Sequence, residues 1–222
     1  MSFQIAIDGP AGAGKSTVAK AVAAALHFIY VDTGAMYRAM GLYLDSLGID
    51  PSDGERITEH CEDADIRLAC SEGKQQIFLA GEDVTELIRS EKAGMLASAT
   101  SVFPAVRRKL TLLQQQIASA ENVVMDGRDI GTAVLPDAPL KIFLTASVDT
   151  RAQRRYLELR AKGQEADFEE IRKDIEDRDY RDSHREASPL SQAEDAVLID
   201  SSDMTADEVT EKVLELYRER SR

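Results

Sequence analysis

Residues 3–16 read Phe-Gln-Ile-Ala-Ile-Asp-Gly-Pro-Ala-Gly-Ala-Gly-Lys-Ser, and the fold turns on this stretch. Bulky apolar residues at positions 3, 5 and 7 alternate with smaller or polar ones, which is the period of a strand. Gly9-Pro10-Ala11-Gly12-Ala13-Gly14-Lys15-Ser16 then matches G-x-x-x-x-G-K-[ST] in full. Val18, Val22, Ala25 and Leu26 follow at helical spacing. Strand, glycine-rich turn and helix form the context this motif requires. Glycines let the backbone adopt conformations that a Cβ forbids, so it can approach phosphates closely. Backbone N–H groups and the helix N-terminus line the resulting concavity with positive charge. Residues 9–16 with Thr17 are therefore read as a nucleoside-triphosphate loop. Lys15 is placed to bridge the β- and γ-phosphates, and the Ser16 hydroxyl to ligate Mg²⁺. The loop alone identifies the nucleotide and not the reaction.

Working outward, Phe28-Ile29-Tyr30-Val31 is a second short apolar run and reads as a strand. Strand, helix and strand within about 30 residues make a βαβ unit, hence a parallel sheet. The runs at 123–125, 140–144 and 196–199 extend it. A helical pattern over 96–117 contains Pro104, which breaks or kinks it. A second, over 151–162, stops at Gly163, and Asp167-x-x-Glu170 opens a third in the manner of a capping box. A last helix covers 207–220. Residues 66–88 depart from the alternation and read as short antiparallel strands around Ser71-Glu72-Gly73-Lys74, an inserted subdomain.

Of the 222 residues 43% are apolar and 30% charged, which excludes disorder and supplies a core for one domain over 1–222. No apolar run approaches the roughly 20 residues of a membrane span. No basic segment precedes an apolar stretch at the N-terminus, so a cytoplasmic protein is expected. Cys61 and Cys70 lack the pattern of a disulfide framework or zinc site and read as reduced thiols. His27, His60 and His184 share no metal-binding spacing. The net charge of −13 disfavours nucleic acid and anionic membranes as partners. An anionic substrate must then be held by a few focused cations, so the placement of arginines is informative.

Val123-Val124-Met125-Asp126-Gly127-Arg128-Asp129 is an apolar strand ending in an acid. Ligands bind at the carboxyl ends of strands in open α/β sheets, where Asp126 can hold a metal or its waters. A plain Asp-Gly turn accounts for the same residues. Arg178, Arg181 and Arg185 are spaced by three and four, on one face of a helix. Phosphoryl transfer needs such cations, since charge spreads over the transferring oxygens. Spacing alone favours a solvated helix with i,i+4 pairs such as Arg178–Asp182, and the other motifs reverse that preference.

Asp32-Thr-Gly-Ala-Met-Tyr-Arg38, Asp126-Gly-Arg-Asp129 with Ile130-Gly-Thr132, and Arg178-Asp-Tyr-Arg-Asp-Ser-His-Arg185 occur in this order after the phosphate loop. Together they resemble the bacterial cytidylate kinases over essentially the whole chain, and the β-rich insertion fits that family too. The resemblance implies an α/β P-loop kinase: a five-stranded parallel sheet flanked by helices, a small β-rich NMP-binding subdomain at about 60–95 and a helical lid at about 150–188. It implies transfer from ATP, with Mg²⁺, to CMP or dCMP, in a protein expected to be a monomer. Thr33, Arg38, Arg128 and Arg185 align with positions around the acceptor phosphate. Ser98, Arg107 and Asp129 align with those that read cytosine, and Arg178 and Asp182 with the ribose-contacting part of the lid. Lys15, Arg128, Arg178, Arg181 and Arg185 would be the catalytic cations, and Ser16 and Asp126 the metal ligands. Many relatives have Ser in place of Thr33, which keeps the hydroxyl.

Three rivals remain. Another small-molecule P-loop kinase, for adenylate, thymidylate or shikimate, is opposed by the insertion and the 126–129 segment. A GTP-dependent switch would need Asn-Lys-x-Asp after a later strand, whereas 140–144 runs into Thr145-Ala146-Ser147. A nucleotide-binding module without catalysis is opposed by intact Lys15, Ser16 and the arginine set.

Overall fold

The computed structural model describes residues 2–71 and 74–221. Strand β1 (Gln4–Asp8) leads through the glycine turn into α1 (Lys15–Leu26), β2 (Ile29–Asp32) and α2 (Thr33–Ser46). A short helix α3 (Gly54–His60) precedes β3 (Ile66–Ser71), β4 (Lys74–Leu79) and β5 (Glu82–Asp83). Helices α4 (Glu91–Thr100) and α5 (Pro104–Ala120) follow, then β6 (Val123–Gly127), β7 (Leu140–Thr145), α6 (Val148–Ala161), α7 (Phe168–His184), β8 (Val197–Asp200) and α8 (Ala206–Arg220).

The central sheet has the order β2-β6-β1-β7-β8, with every neighbour parallel. β1 is its middle strand, with β6 on one side and β7 on the other, so the strand order switches at β1 and a crevice opens beyond its end. The side chains sort with period two. Ile5, Ile7, Val124, Leu140, Ile142 and Leu144 pack with α1 and α8 on one face. Ala6, Val31, Val123 and Met125 face Ala118 of α5 and Ile130 on the other. A separate core joins α2, α3 and α5 to the antiparallel sheet through Met36, Met40, Ile57, Ile77 and Leu110.

The insertion is an antiparallel sheet of order β3-β4-β5, with Ile66 opposite Leu79. Glu72 and Gly73 of its expected turn lie outside the described residues, as do the side chains of Cys70, Ser71 and Lys74. Ala80 and Gly81 both have positive φ, 50° and 84°, as a tight two-residue hairpin between β4 and β5 requires. Pro104 breaks the 96–117 pattern into two helices by standing at the first position of α5. The Asp167 side chain accepts from the Glu170 amide at the start of α7. Gly163 has φ 73° just past α6. Helix α2 was not anticipated. Its signals are the Asp32 side chain accepting from the Ala35 amide and buried Met36, Ala39, Met40 and Leu44 at helical spacing.

Candidate active site

A cleft of about 750 Å³ opens at the carboxyl ends of β1, β2 and β6, under α6 and α7. Nine basic side chains on its wall face five acidic ones, a local excess of four positive charges in a chain of net charge −13. This is the focusing an anionic ligand needs.

The phosphate-loop side is made of backbone. Gly9, Gly12 and Gly14 have φ of 147°, 77° and 91°. A Cβ on Gly9 would lie 1.9 Å from the Leu144 carbonyl oxygen, so the chain can leave β1 only through a glycine. Ala11, Gly12, Gly14, Lys15, Ser16 and Thr17 line the cleft, whereas Gly9, Pro10 and Ala13 form the back of the loop. The buried Lys15 Nζ donates to the Pro10 carbonyl at 2.7 Å. Burial, and then Arg128, push its pKa well below the usual lysine range, against the pull of Asp126 and Asp8.

The Ser16 hydroxyl donates to Asp126 Oδ2 and the Tyr30 hydroxyl to Oδ1, both at 2.8 Å. Burial and Asp32 raise the Asp126 pKa, while Lys15 and the two hydroxyls oppose the rise. A hydroxyl and a buried carboxylate side by side are hard oxygen donors. They suit a small divalent cation that keeps most of its waters.

The opposite side is made of side chains from many elements. Thr33 Oγ1 donates to the Asp126 backbone carbonyl at 2.7 Å. Arg38 donates Nη2 to Asp32 at 2.9 Å. Ser98, half-buried on α4, lines the wall beyond. Arg107 pairs with Asp129 through Nη2, in close contact and fully within the protein. Its Nη1 reaches the Ser101 carbonyl, and its guanidinium lies 5.5 Å from the Tyr37 ring. Burial pushes the Tyr37 hydroxyl up to about 12, with Arg107 opposing. The insertion touches this wall too: Gln75 Oε1 accepts from the Asp32 amide at 2.7 Å.

On α7, Asp182 accepts from Arg128 Nε, just past β6, at 2.9 Å. Asp182 therefore pairs with Arg128 across the cleft and not with Arg178 along its own helix. Arg178 stays open to the cleft, where surrounding protein and then Arg128 draw its pKa down. Arg185 lies one residue past the end of α7. Its Nε donates to the Ser188 carbonyl at 2.7 Å, and its Nη2 stands 3.9 Å from Asp129 Oδ1. Arg181 does not share this face. It is exposed, bonds the Asp177 carbonyl, and is absent from the cleft wall. Arg178 and Arg185 line the cleft while Arg181, between them on α7, does not. Among the described residues, Arg38 Nε, Arg107 Nε and Arg185 Nη2 are buried without a hydrogen-bond partner. Three orphaned guanidinium nitrogens on one wall are the mark of a site completed by an anion.

Sequence reasoning missed Arg151. It is buried, forks onto Asp179 of α7 at 2.6 and 3.0 Å, and donates to the Ala11 carbonyl of the phosphate loop at 3.1 Å. Arg151-x-x-Arg154-Arg155 is a basic run just after a strand in an acidic chain, and that was its available signal.

Fold and site together define a P-loop kinase of small molecules. A shikimate kinase structure from Acinetobacter baumannii superposes with a TM-score of 0.50 at 16% identity, over 99% of this chain and 94% of that one, which speaks for the fold. The family description "Cytidylate kinase" matches residues 5–219. A cytidylate kinase of Caldicellulosiruptor bescii is 51% identical over 97% of this chain and 95% of its own. One of Caldanaerobacter subterraneus subsp. tengcongensis is also 51% identical, over 100% and 97%. The chain belongs to the cytidylate kinase family. Among the described residues no helix is long and apolar enough to cross a membrane.

Proposed function

We propose that this protein transfers the γ-phosphoryl group of ATP to CMP and dCMP, giving ADP and CDP or dCDP, and that it works as a cytoplasmic monomer. The observation that carries the reading is the wall of orphaned arginine nitrogens facing a complete phosphate loop across one cleft.

The loop amides and Lys15 hold the donor phosphates, and Lys15 exchanges the Pro10 carbonyl for a phosphate oxygen. Ser16 and Asp126 would hold Mg²⁺, which would neutralise charge on the donor phosphates. Thr33, Arg38, Arg128 and Arg185 hold the acceptor phosphate in line. A nucleotide phosphate at neutral pH already carries a nucleophilic oxygen, its second pKa lying near about 6, so no side chain is required as a base. The chain's task is positioning plus electrostatic stabilisation of the transferring group by Lys15, Arg128, Arg178 and Arg185, with Arg181 joining on lid closure.

Asp129 and Arg107, with Ser98, read the base. Arg107 occupies Asp129 Oδ2 and leaves Oδ1 beyond hydrogen-bond distance of Arg185. A carboxylate only accepts, so Oδ1 suits the exocyclic amino group of cytosine and opposes the carbonyl oxygen of uracil. A narrower role, bracing Arg107 alone, is favoured by the ion pair itself. A coupled ADP-release assay with a panel of monophosphates tests the function. CMP and dCMP are expected to drive ADP release, with UMP and AMP far behind and little release without acceptor. Equal release without any monophosphate, or a preference for AMP, contradicts it.

A further inference from the structure

Asp8 is buried at the end of the central strand, one residue before the phosphate loop, and the mechanism above gives it no role. Its Oδ1 accepts from the Ile130 amide at 2.8 Å and its Oδ2 from the Gly131 amide at 2.7 Å, 122 and 123 residues along the chain. These amides open the wide turn over 130–134, in which the amides of Ala133 and Val134 both reach back to the Asp129 carbonyl at 2.9 and 3.2 Å. Such five-residue closures are rare in proteins and concentrate at functional sites. The first amides of a helical turn have no partner inside it, and Asp8 supplies both here.

We propose that Asp8 is a positioning residue of the acceptor site: its carboxylate clamps the 130–134 turn and so fixes where Arg128 and Asp129 stand relative to the phosphate loop. Both residues immediately precede the clamped amides, and both side chains face the cleft. Gly9 follows Asp8 directly, so one residue ties donor and acceptor halves to the same strand end. In-line transfer tolerates little misplacement, about 1 Å costing on the order of 10²-fold.

The surroundings argue against an ordinary ion pair. Among the described residues no Lys or Arg forms a salt bridge with Asp8. Of the charged groups facing it, Lys15 comes from the loop and Asp129 from the turn. Lys141 on β7 lays its methylenes against Gly131, while its ammonium serves the Pro136 carbonyl and Asp195. Burial pushes the Asp8 carboxyl up to about 6 although both backbone bonds pull it down. A carboxylate kept in such a place at a cost in stability points to geometry as its purpose.

The inference rests on the acceptor-site reading of Arg128 and Asp129, and its test keeps the two apart. Asp8→Asn preserves shape but can accept only one of the two amides, its own N–H₂ meeting the other. Gly131→Ala works from the opposite side, since a Cβ there would lie 3.1 Å from Lys141 Cδ and 3.4 Å from Asp8 Oδ2. KM for CMP and for ATP is measured in both, with thermal unfolding in parallel. Asp8→Asn is expected to raise KM for CMP about tenfold while KM for ATP stays within about twofold. Gly131→Ala is expected to shift the same parameter in the same direction by less, and it decides the matter alone if Asp8→Asn does not fold. An unchanged KM for CMP, or KM values for CMP and ATP rising together, overturns the clamp. Asp129→Ala measured alongside isolates the underlying reading. If Asp129→Ala leaves KM for CMP and the CMP-to-UMP ratio untouched, base reading fails; if it moves them while Asp8→Asn does not, only the clamp fails.

Discussion

The two walls of the cleft are built on different principles. The donor wall is one contiguous loop whose shape comes from three glycines with positive φ, and its lysine already has a hydrogen-bond partner within the loop. The proposed acceptor wall gathers Arg38, Arg107, Arg128, Asp129 and Arg185 from α2, α5, the end of β6 and the end of α7. Among the described residues, three of its guanidinium nitrogens are buried without partners. Backbone sites are formed before ligand arrives. Side-chain sites of like charge are completed by it, because the arginines repel one another until an anion intervenes. Charge concentrated this way also lowers the pKa of Arg185, through burial and then Arg107.

The sharpest break in this contrast comes from the donor wall. Lys15→Ala is expected to lower kcat by on the order of 10²-fold or more while the loop backbone still binds ATP. Near-normal turnover would show that the loop backbone alone performs the donor's part.

Asp8 joins the two walls, and its titration sharpens the contrast. Its folded pKa of about 6 lies above the unfolded value of 3.8. The folded state therefore binds the proton more tightly. The associated stability is fully present below pH 3.8 and is lost as pH rises through about 6, up to about 3 kcal/mol. Denaturant unfolding of wild type against Asp8→Asn, from pH 4 to 7, should show wild type losing ground as pH rises. A flat difference would mean the carboxylate is not desolvated in solution.

On the acceptor wall, Arg38→Ala is expected to raise KM for CMP about tenfold, with KM for ATP nearly unchanged, as removal of one charge-assisted contact to phosphate implies. Equal rises for both nucleotides would erase the distinction between the walls. The smallest effect concerns motion. Amide exchange over 148–184 is expected to slow a few-fold when both nucleotides, or a two-substrate analogue, are bound, as the lid closes and excludes water. Exchange over 9–17 is expected to respond to ATP alone. Unchanged protection in the lid would remove closure from the account.

The same contrast explains what the sequence disclosed. The phosphate loop was legible because backbone chemistry depends on glycines at fixed short spacing. The five parallel strands were legible as short runs of three to six residues rich in apolar side chains, and Pro104 marked the helix break. Side-chain sites are harder to read. Asp8 meets its partners 122 residues away, and Arg151 meets Ala11 at a separation of 140. No periodicity reports such pairs. Arg181 stands three residues from Arg178 within α7, and that spacing does not say which of the two meets the cleft; only Arg178 lines it. Asp182 misled because i,i+4 geometry permits a bond to Arg178 that Arg128 takes instead. Arg107 and Asp129 were reached through family resemblance, and only the fold brings them into contact across 22 residues.

The central claim is that a carboxylate in this cleft selects cytosine, and the most direct test is kcat/KM for CMP and UMP in wild type and Asp129→Ala. Sites built to bond a polar substrate group reject analogues lacking it, because buried groups are left unpaired. If Asp129 reads the base, the variant loses far more with CMP than with UMP and the ratio between them narrows. If Asp129 serves only to hold Arg107, both substrates suffer alike, and an unchanged ratio contradicts the account.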